Sequence, residues 1–165
     1  MVADLVRRFV AERKVWSLVD LGCGDGSLLS ALHDLPIAKW GYDLGLGNVN
    51  VAWSRGLDAR NADFLDGSVE YGDLIVATEV LEHLLDPRGF LRSLPGDKLI
   101  VSSPSAETDE WHYHHHAWAW DMEGYAELLA SCGWTVVEHV ECAGGANVHG
   151  GHVRDQRFQA AVAVR

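Results

Sequence analysis

The stretch VDLGCGDGSLL, residues 19–29, places three glycines at every second position between an apolar run and a helix-like segment. A glycine-rich turn after a strand lets backbone N–H groups approach a ligand closely, and a phosphate is the usual ligand of such turns. Asp20 and Asp25 would repel a phosphate, so the loop favours a different ligand. The GxGxG pattern alone is a weak signal, because a tight strand-to-helix turn also produces it, and Ser27 replaces the third glycine of the dinucleotide fingerprint.

Acidic residues also follow the second and third apolar runs. Asp43 stands 17 residues after Gly26, where an acid can accept both hydroxyls of a ribose. Asp63 offers a carboxylate for an exocyclic amine, Phe64 offers an apolar ring beside a purine, and Asp20 can attract an ammonium group. The implied ligand has an amino acid end, a ribose and an adenine but no phosphate, which describes S-adenosylmethionine.

Hydrophobic periodicity predicts alternating strands and helices that position these residues. The predicted strands are 15–21, 37–42, 57–62, 73–78, 98–102, 134–141 and 158–164, and the predicted helices are 2–14, 27–35, 48–55, 79–94 with an interruption at Pro87, and 121–132. This alternation is typical of an α/β fold with a mostly parallel sheet, whereas the last two strands, with no helix between them, predict one antiparallel strand. The glycine turn therefore lies at the carboxyl edge of the sheet, where such folds bind ligands.

Five motifs in this order, VDLGCGDG, GYDL, ADF, DLIVATEVLEHLLDP and LIVSSPS, resemble the class I S-adenosylmethionine-dependent methyltransferases over about residues 15–140. The resemblance implies one Rossmann-like domain over residues 1–165, with a short helix in 1–14 and a seven-stranded, mostly parallel sheet with one antiparallel strand. It implies an enzyme that transfers a methyl group from S-adenosylmethionine to an oxygen or nitrogen. The cofactor-binding residues that it implies are Asp20, Gly22, Cys23, Gly24, Gly26, Asp43, Leu44, Asp63, Phe64, Thr78 and Glu79.

Glu79, Glu82 and His83 occupy positions i, i+3 and i+4 of a predicted helix and would share one face. Such residues can ligate a divalent cation, Mg²⁺ or Mn²⁺, with a histidine of the 112–116 loop completing the site. The EVLEHL stretch with its downstream histidines resembles small-RNA 3′-terminal 2′-O-methyltransferases, and similar stretches occur in ubiquinone-pathway O-methyltransferases. A metal there would orient the oxygens of an acceptor and lower the pKa of a hydroxyl.

Metal ligation is one of three interpretations of this stretch. His83 can instead act as a base or orienting group without a metal, and Glu82 with His83 can serve structural roles alone. The catalytic candidates are His83, Glu79 and His116, the last because it directly precedes an aromatic entry to a helix.

Two unusual segments frame the acceptor side. In the first, residues 111–120, the tryptophans Trp111, Trp118 and Trp120 can stack on a planar acceptor or a cation. Alternatively, Trp118 or Trp120 fastens the following helix to the sheet. The glycine-rich segment 143–155 is either a mobile lid or a plain surface connection.

Composition restricts the partners and the compartment. The net charge of −11 argues against general binding of DNA or RNA. The acceptor stays open among a small molecule, such as a phenol or a sugar, a nucleoside and an RNA terminus. The three cysteines lack a CxxC pair and no apolar run reaches 18 residues, which predicts a reduced, cytoplasmic protein without a membrane span.

The small N-terminal cap would leave the acceptor face open, or a homodimer would complete it. The alternatives are an NAD-dependent oxidoreductase and a non-catalytic S-adenosylmethionine-binding subunit.

Overall fold

The computed structural model describes residues 1–105, 107, 113–149 and 152–165, with the backbone alone for 144–149 and 152–155. The strands are β1 (Ser17–Leu21), β2 (Ala38–Asp43), β3 (Ala59–Asn61), β4 (Leu74–Thr78), β5 (Lys98–Pro104), β6 (Thr135–His149) and β7 (His152–Val164). The α-helices are α1 (Val2–Glu12), α2 (Ser27–Ala31), α3 (Leu46–Ser54), α4 (Pro87–Ser93) and α5 (Met122–Ser131), with 3₁₀ turns at Phe64–Asp66 and Leu81–His83. The strands form one sheet in the order β3-β2-β1-β4-β5-β7-β6.

The chain divides into two compact units, of which the first contains residues 1–78 and 95–100. In this unit β1 pairs in parallel with β2 and β4, and β2 pairs in parallel with β3. Residues 18–21 of β1 are all buried, as expected for a parallel strand covered on both faces. Helix α1 buries Leu5, Val6 and Phe9, and this apolar face anchors it in the first unit.

The second unit contains residues 79–94 and 101–165. Here β6 and β7 form a long antiparallel hairpin, with irregularities between Val136 and Glu138 and between Ala143 and Gly145. Helix α5 begins after Asp121, whose carboxylate accepts a hydrogen bond of 2.8 Å from the Gly124 N–H, an N-cap that satisfies a free helix donor.

The predicted fold class, an α/β sheet of seven strands with an antiparallel end, is confirmed. The single domain over 1–165 stays a prediction. The predicted helix over 79–94 is present only after the interruption at Pro87, as α4. Over 79–86 the prediction is wrong: Glu79 has a φ of 54°, which an α-helix does not accommodate, and α4 begins only after Asp86 caps it and Pro87 sets its first turn. No helix in the described ranges has both the length and the apolar run needed to cross a membrane.

The glycine-rich segment 143–155 also differs from its prediction. Its described backbone continues β6 to His149 and begins β7 at His152, so most of it is paired strand and not a loop. Gly150 and Gly151, Trp111 and the first residue of the 112–116 loop lie outside the described residues.

Candidate active site

The glycine turn of the first unit is fastened to the neighbouring strand β2. The N–H groups of Gly22 and Cys23 both donate to the Tyr42 carbonyl, at 2.8 and 3.0 Å. The turn needs glycines because three of its residues have left-handed φ values between 54° and 78°: Gly22, Gly24 and Gly26. The result is a tight crossing from β1 into α2.

Gly26 is also short of space. An added Cβ would lie 2.5 Å from Leu57 Cδ1 and 3.1 Å from Ala52 Cβ, whereas Gly56, with nearly the same φ, has open space. We expect Gly26→Ala to lower the free energy of unfolding by about 2–5 kcal/mol, from left-handed strain plus overpacking. The matched control Gly56→Ala should lose only the strain, roughly 1–2 kcal/mol. Urea unfolding of both variants measures the difference, and equal losses would contradict the packing argument.

Asp43 joins the end of β2 to the glycine turn. Its Oδ2 accepts a hydrogen bond of 2.9 Å from the Gly24 N–H, and its Oδ1 accepts one of 2.7 Å from the Gly45 N–H. A carboxylate has about four acceptor positions. The Asn48 amide also donates to Oδ1, at 3.3 Å, so one position on Oδ2 is free, and displacement of the long Asn48 contact would free a second on Oδ1. The other acid of the turn, Asp25, forms an ion pair of 3.0 Å with Arg55 and is therefore already neutralised.

Asp20 is a buried carboxylate without a partner. It is 1% exposed, and neither of its oxygens accepts a hydrogen bond from the described residues. Burial, together with the nearby charge of Asp43, raises the pKa of Asp20 to about 7. A buried, unsatisfied carboxylate at a ligand-binding edge is suited to a cationic group, because a cation would supply the missing partner.

The remaining residues predicted for the cofactor differ in their exposure. Cys23 is buried, and burial, followed by the charge of Asp20, raises the pKa of its thiol to about 12, so it is a packing residue and not a thiolate. Phe64 is also buried, while Leu44 is 65% exposed. Asp63 caps the 3₁₀ turn by accepting from the Leu65 N–H at 2.9 Å, and Thr78 ends β4.

In the second unit, Glu79 is held by Ser102. The Ser102 hydroxyl donates to Glu79 Oε1 at 2.6 Å, and the Glu79 N–H donates to the Ser102 carbonyl at 3.1 Å. The φ of Glu79, 54°, is left-handed; this conformation costs a residue other than glycine about 1–3 kcal/mol, and such residues cluster at functional sites. Burial raises the pKa of the Glu79 carboxyl, and the Ser102 hydrogen bond opposes this effect.

Three potential ligands meet beside Glu79. One ligand atom each of Glu82, His83 and His116 lies within 4.8 Å of the others. Glu82 is 1% exposed, and its carboxylate oxygens have no partner among the described residues. Burial and the charge of Glu79 raise the pKa of Glu82 to about 8.

The hydrogen bonds of His83 and His116 determine which ring nitrogen of each remains free. His83 Nδ1 lies 3.1 Å from the His115 carbonyl, an acceptor only, so Nδ1 carries the proton. His116 Nδ1 lies 2.8 and 2.9 Å from the two carboxylate oxygens of Glu107. In both rings the other nitrogen, Nε2, is therefore left with a lone pair in the neutral form.

Backbone hydrogen bonds hold the segment 113–118, which contains His116, against the 3₁₀ turn Leu81–His83, called the Glu82 turn below. The N–H groups of Ala117 and Trp118 donate to the Glu82 carbonyl at 2.7 and 3.3 Å, and the Trp118 indole N–H donates to the Leu84 carbonyl at 2.9 Å. The Trp118 ring stacks on Trp120, with centroids 6.1 Å apart, yet 44% of Trp118 remains exposed. Trp118 therefore fastens the segment and still presents a free surface.

The structure thus unites the predicted Glu82, His83 and His116, whereas Glu79 is engaged by Ser102. The spacing argument for one helical face was wrong, because Leu81–His83 is a 3₁₀ turn. Sequence reasoning missed Glu107 and Ser102. Ser102 lies in the LIVSSPS motif, which gave it no role, and no local pattern marks Glu107. Their contacts join positions 23 and 9 residues apart.

Comparison with known proteins assigns the chain to a family. Residues 1–139 match the model of a family described as methyltransferase domain. The chain belongs to this family. Its fold is that of the class I S-adenosylmethionine-dependent methyltransferases, as the resemblance implied, and the comparisons give no support to an oxidoreductase or a silent binding subunit.

Two solved methyltransferases show the likeness of fold. The magnesium protoporphyrin IX methyltransferase of Synechocystis PCC 6803, with bound SAH, has a TM-score of 0.71 and 18% identity, covering 99% of this chain and 82% of that one. A small RNA methyltransferase has a TM-score of 0.70 and 23% identity, covering 99% of this chain and 25% of that one.

A curated relative adds a likeness in sequence. The mitochondrial ubiquinone biosynthesis O-methyltransferase of Schizosaccharomyces pombe is 30% identical over 121 residues, covering 62% of this chain and 44% of that protein. The chain spans 34% to 47% of the length of the curated relatives it matches.

Proposed function

We propose that this methyltransferase transfers a methyl group from S-adenosylmethionine to a hydroxyl of a small, uncharged, planar acceptor that carries two neighbouring oxygens, the catechol class. The observation that carries the proposal is the convergence of Glu82, His83 and His116 within 4.8 Å. Two neighbouring oxygens of an acceptor could together take up the open coordination positions of a cation that these three side chains would hold. The matched O-methyltransferases of ubiquinone biosynthesis support oxygen as the methylated atom.

The first unit supplies the donor site in this proposal. The partnerless carboxylate of Asp20 binds the ammonium group of the methionine part, and Asp43 accepts the two ribose hydroxyls. Asp63, with Phe64 and Leu44, lies at the adenine. These acids match a ligand that is cationic and lacks phosphate.

The donor set of the second unit fits a divalent cation. Glu82, with both oxygens unsatisfied, and the Nε2 atoms of His83 and His116 would hold it, and a pair of imidazoles favours Mn²⁺ over Mg²⁺. When bound, the cation would orient the acceptor oxygens and lower the pKa of a hydroxyl.

The transfer itself is a displacement at the methyl carbon. The hydroxyl oxygen forms the new bond to carbon, and the carbon–sulfur bond breaks with its electrons returning to sulfur, which gives a neutral thioether. The hydroxyl proton passes to Glu79, because Ser102 occupies Oε1 and leaves Oε2 as an acceptor. The raised pKa of Glu79 makes its carboxylate a stronger base.

Charge and surface favour a small acceptor over an RNA terminus. The second unit contains twelve acidic residues and five arginines, an excess that repels a polyanion. The exposed face of Trp118 instead offers a stacking surface for a planar ring. Whether a homodimer forms stays a prediction, as does the cytoplasmic location.

The deciding variant is Glu82→Gln, which keeps the shape of the side chain but removes the charge. We expect Mn²⁺ affinity and the transfer of labelled methyl to a catechol to fall at least about 100-fold, while the affinity for S-adenosylhomocysteine stays unchanged. Glu123→Gln, an exposed position of α5, is the matched control.

Treatment with EDTA should have the same effect as Glu82→Gln. Transfer that survives both EDTA and the substitution would contradict the role given to these ligands. Methylation of an RNA 3′ terminus in preference to the catechol would contradict the acceptor class. Tight cofactor binding without transfer to any acceptor would favour the silent binding subunit.

A further inference from the structure

We infer that Glu107 is a positioning residue, which orients the His116 ring and fixes its proton on Nδ1 so that Nε2 meets Glu82 and His83. This inference rests on the proposed function, because it assigns Glu107 to the same group of ligands. No sequence motif marks Glu107, and its role follows from three observations within the second unit.

The first observation is the geometry of the pair. Both carboxylate oxygens of Glu107 lie within hydrogen-bond distance of His116 Nδ1, at 2.8 and 2.9 Å. The two side chains are 7% and 11% exposed, so water competes weakly for the contact. The Tyr113 N–H also donates to Glu107 Oε1 at 3.2 Å, which holds the carboxylate in place from the backbone.

The second observation is that the backbone beside His116 is held in place without Glu107. The backbone beside His116 is already held by the hydrogen bond of 2.7 Å from the Ala117 N–H to the Glu82 carbonyl. Glu107 is therefore not required to bring the segment to the Glu82 turn. What its carboxylate adds is the rotation of the imidazole and the choice of the nitrogen that carries the proton.

The third observation is the contrast with His83. The Nδ1 of His83 faces a neutral acceptor, the His115 carbonyl, whereas the Nδ1 of His116 faces a carboxylate. A carboxylate behind a histidine makes the opposite nitrogen a better electron donor and fixes the ring orientation. The rings meet edge to face with centroids 4.7 Å apart, so a rotation of His116 would also disturb His83.

The experiment compares the wild-type chain with Glu107→Gln and Glu107→Leu, and uses the exposed α5 variant Glu127→Gln as the control. Two properties are measured without S-adenosylmethionine: the nitrogen-15 shifts of His116, which report the protonated nitrogen, and Mn²⁺ affinity by titration. We expect His116 to carry its proton on Nδ1 in the wild type and to lose this preference in Glu107→Leu. Mn²⁺ affinity should fall about 10- to 100-fold in both Glu107 variants.

The outcomes separate this inference from the proposed function. Unchanged Mn²⁺ affinity and an unchanged Nδ1 proton in both variants would overturn the role of Glu107, while leaving metal-assisted transfer standing. A wild type that binds no Mn²⁺ but loses the Nδ1 proton on substitution would support the positioning role and contradict the proposed metal. If Glu107→Leu does not fold, Glu107→Gln decides alone, since its amide keeps the size of the side chain.

Discussion

Replacing Asp43 by alanine is expected to weaken the binding of S-adenosylhomocysteine by about 10²- to 10⁴-fold. Two charge-assisted hydrogen bonds to the ribose hydroxyls would be lost, each contributing about 1.5–3 kcal/mol, and about 1.4 kcal/mol corresponds to a factor of ten. The same substitution removes the acceptor of the Gly24 and Gly45 N–H groups, so the loop would also lose its orientation. Titration calorimetry measures the affinity directly.

Two further variants make the Asp43 result specific. Asp97→Ala removes a carboxylate of the same unit that is 61% exposed and paired with Lys98, and it should bind normally. Asp43→Asn keeps one acceptor oxygen and should bind with intermediate affinity. If Asp43→Ala folds and binds as tightly as the wild type, the ribose assignment is wrong.

The arrangement of the glycine turn and Asp43 was predictable from the sequence because these residues are set by local geometry. A glycine turn after an apolar run has few conformations available, and the left-handed φ values of Gly22, Gly24 and Gly26 follow from that pattern. Parallel strands bring their carboxyl ends to one edge, so Asp43, at the end of the neighbouring strand, had to lie near the turn. The observed hydrogen bond from the Gly24 N–H to Asp43 reflects this.

The group of Glu82, His83 and His116 was only partly predictable. Glu82 and His83 are neighbours in the chain, so a 3₁₀ turn keeps them together even though the predicted helix is absent. His116 reaches them through backbone hydrogen bonds from Ala117 and Trp118 to the Glu82 carbonyl, and backbone acceptors leave no signature in a sequence. The same limit applies to Glu107, whose importance depends on the direction of one imidazole nitrogen.

The hairpin illustrates a different limit. Glycine is unfavourable in strands as a local preference, so the composition of 143–155 predicted a loop. Antiparallel pairing that continues to His149 and His152 overrides this preference, because each strand satisfies the backbone groups of the other. Local propensity therefore misjudged the strand ends, while the antiparallel end of the sheet was predicted correctly.

Asp20→Asn is expected to stabilise the empty protein and to weaken its cofactor binding. The pKa of Asp20 is about 7 in the folded chain against an ordinary value of 3.8, so the folded state holds a proton that the unfolded state has lost between these values. Stability therefore falls as the pH rises from about 4 to 7, by up to roughly 4 kcal/mol. An asparagine has no such proton to lose, so the variant should avoid this fall.

At pH 8 we expect Asp20→Asn to raise Tm by up to roughly 8–16 °C, and near pH 3.5 the difference should vanish. The wild type should bind S-adenosylhomocysteine more tightly as the pH rises from 6 to 8, since the ammonium group favours the carboxylate form, and the variant should lose this dependence. Asp97→Asn serves as the exposed control. The claim that Asp20 serves to bind a cationic ligand would be contradicted in two cases. One is an Asp20→Asn variant with a lower Tm than the wild type at pH 8, and the other is a variant whose binding of S-adenosylhomocysteine has the same pH dependence as that of the wild type. The stability that Asp20 costs the empty protein is then offset only when the ammonium group is bound, which links cofactor affinity directly to the burial of this acid.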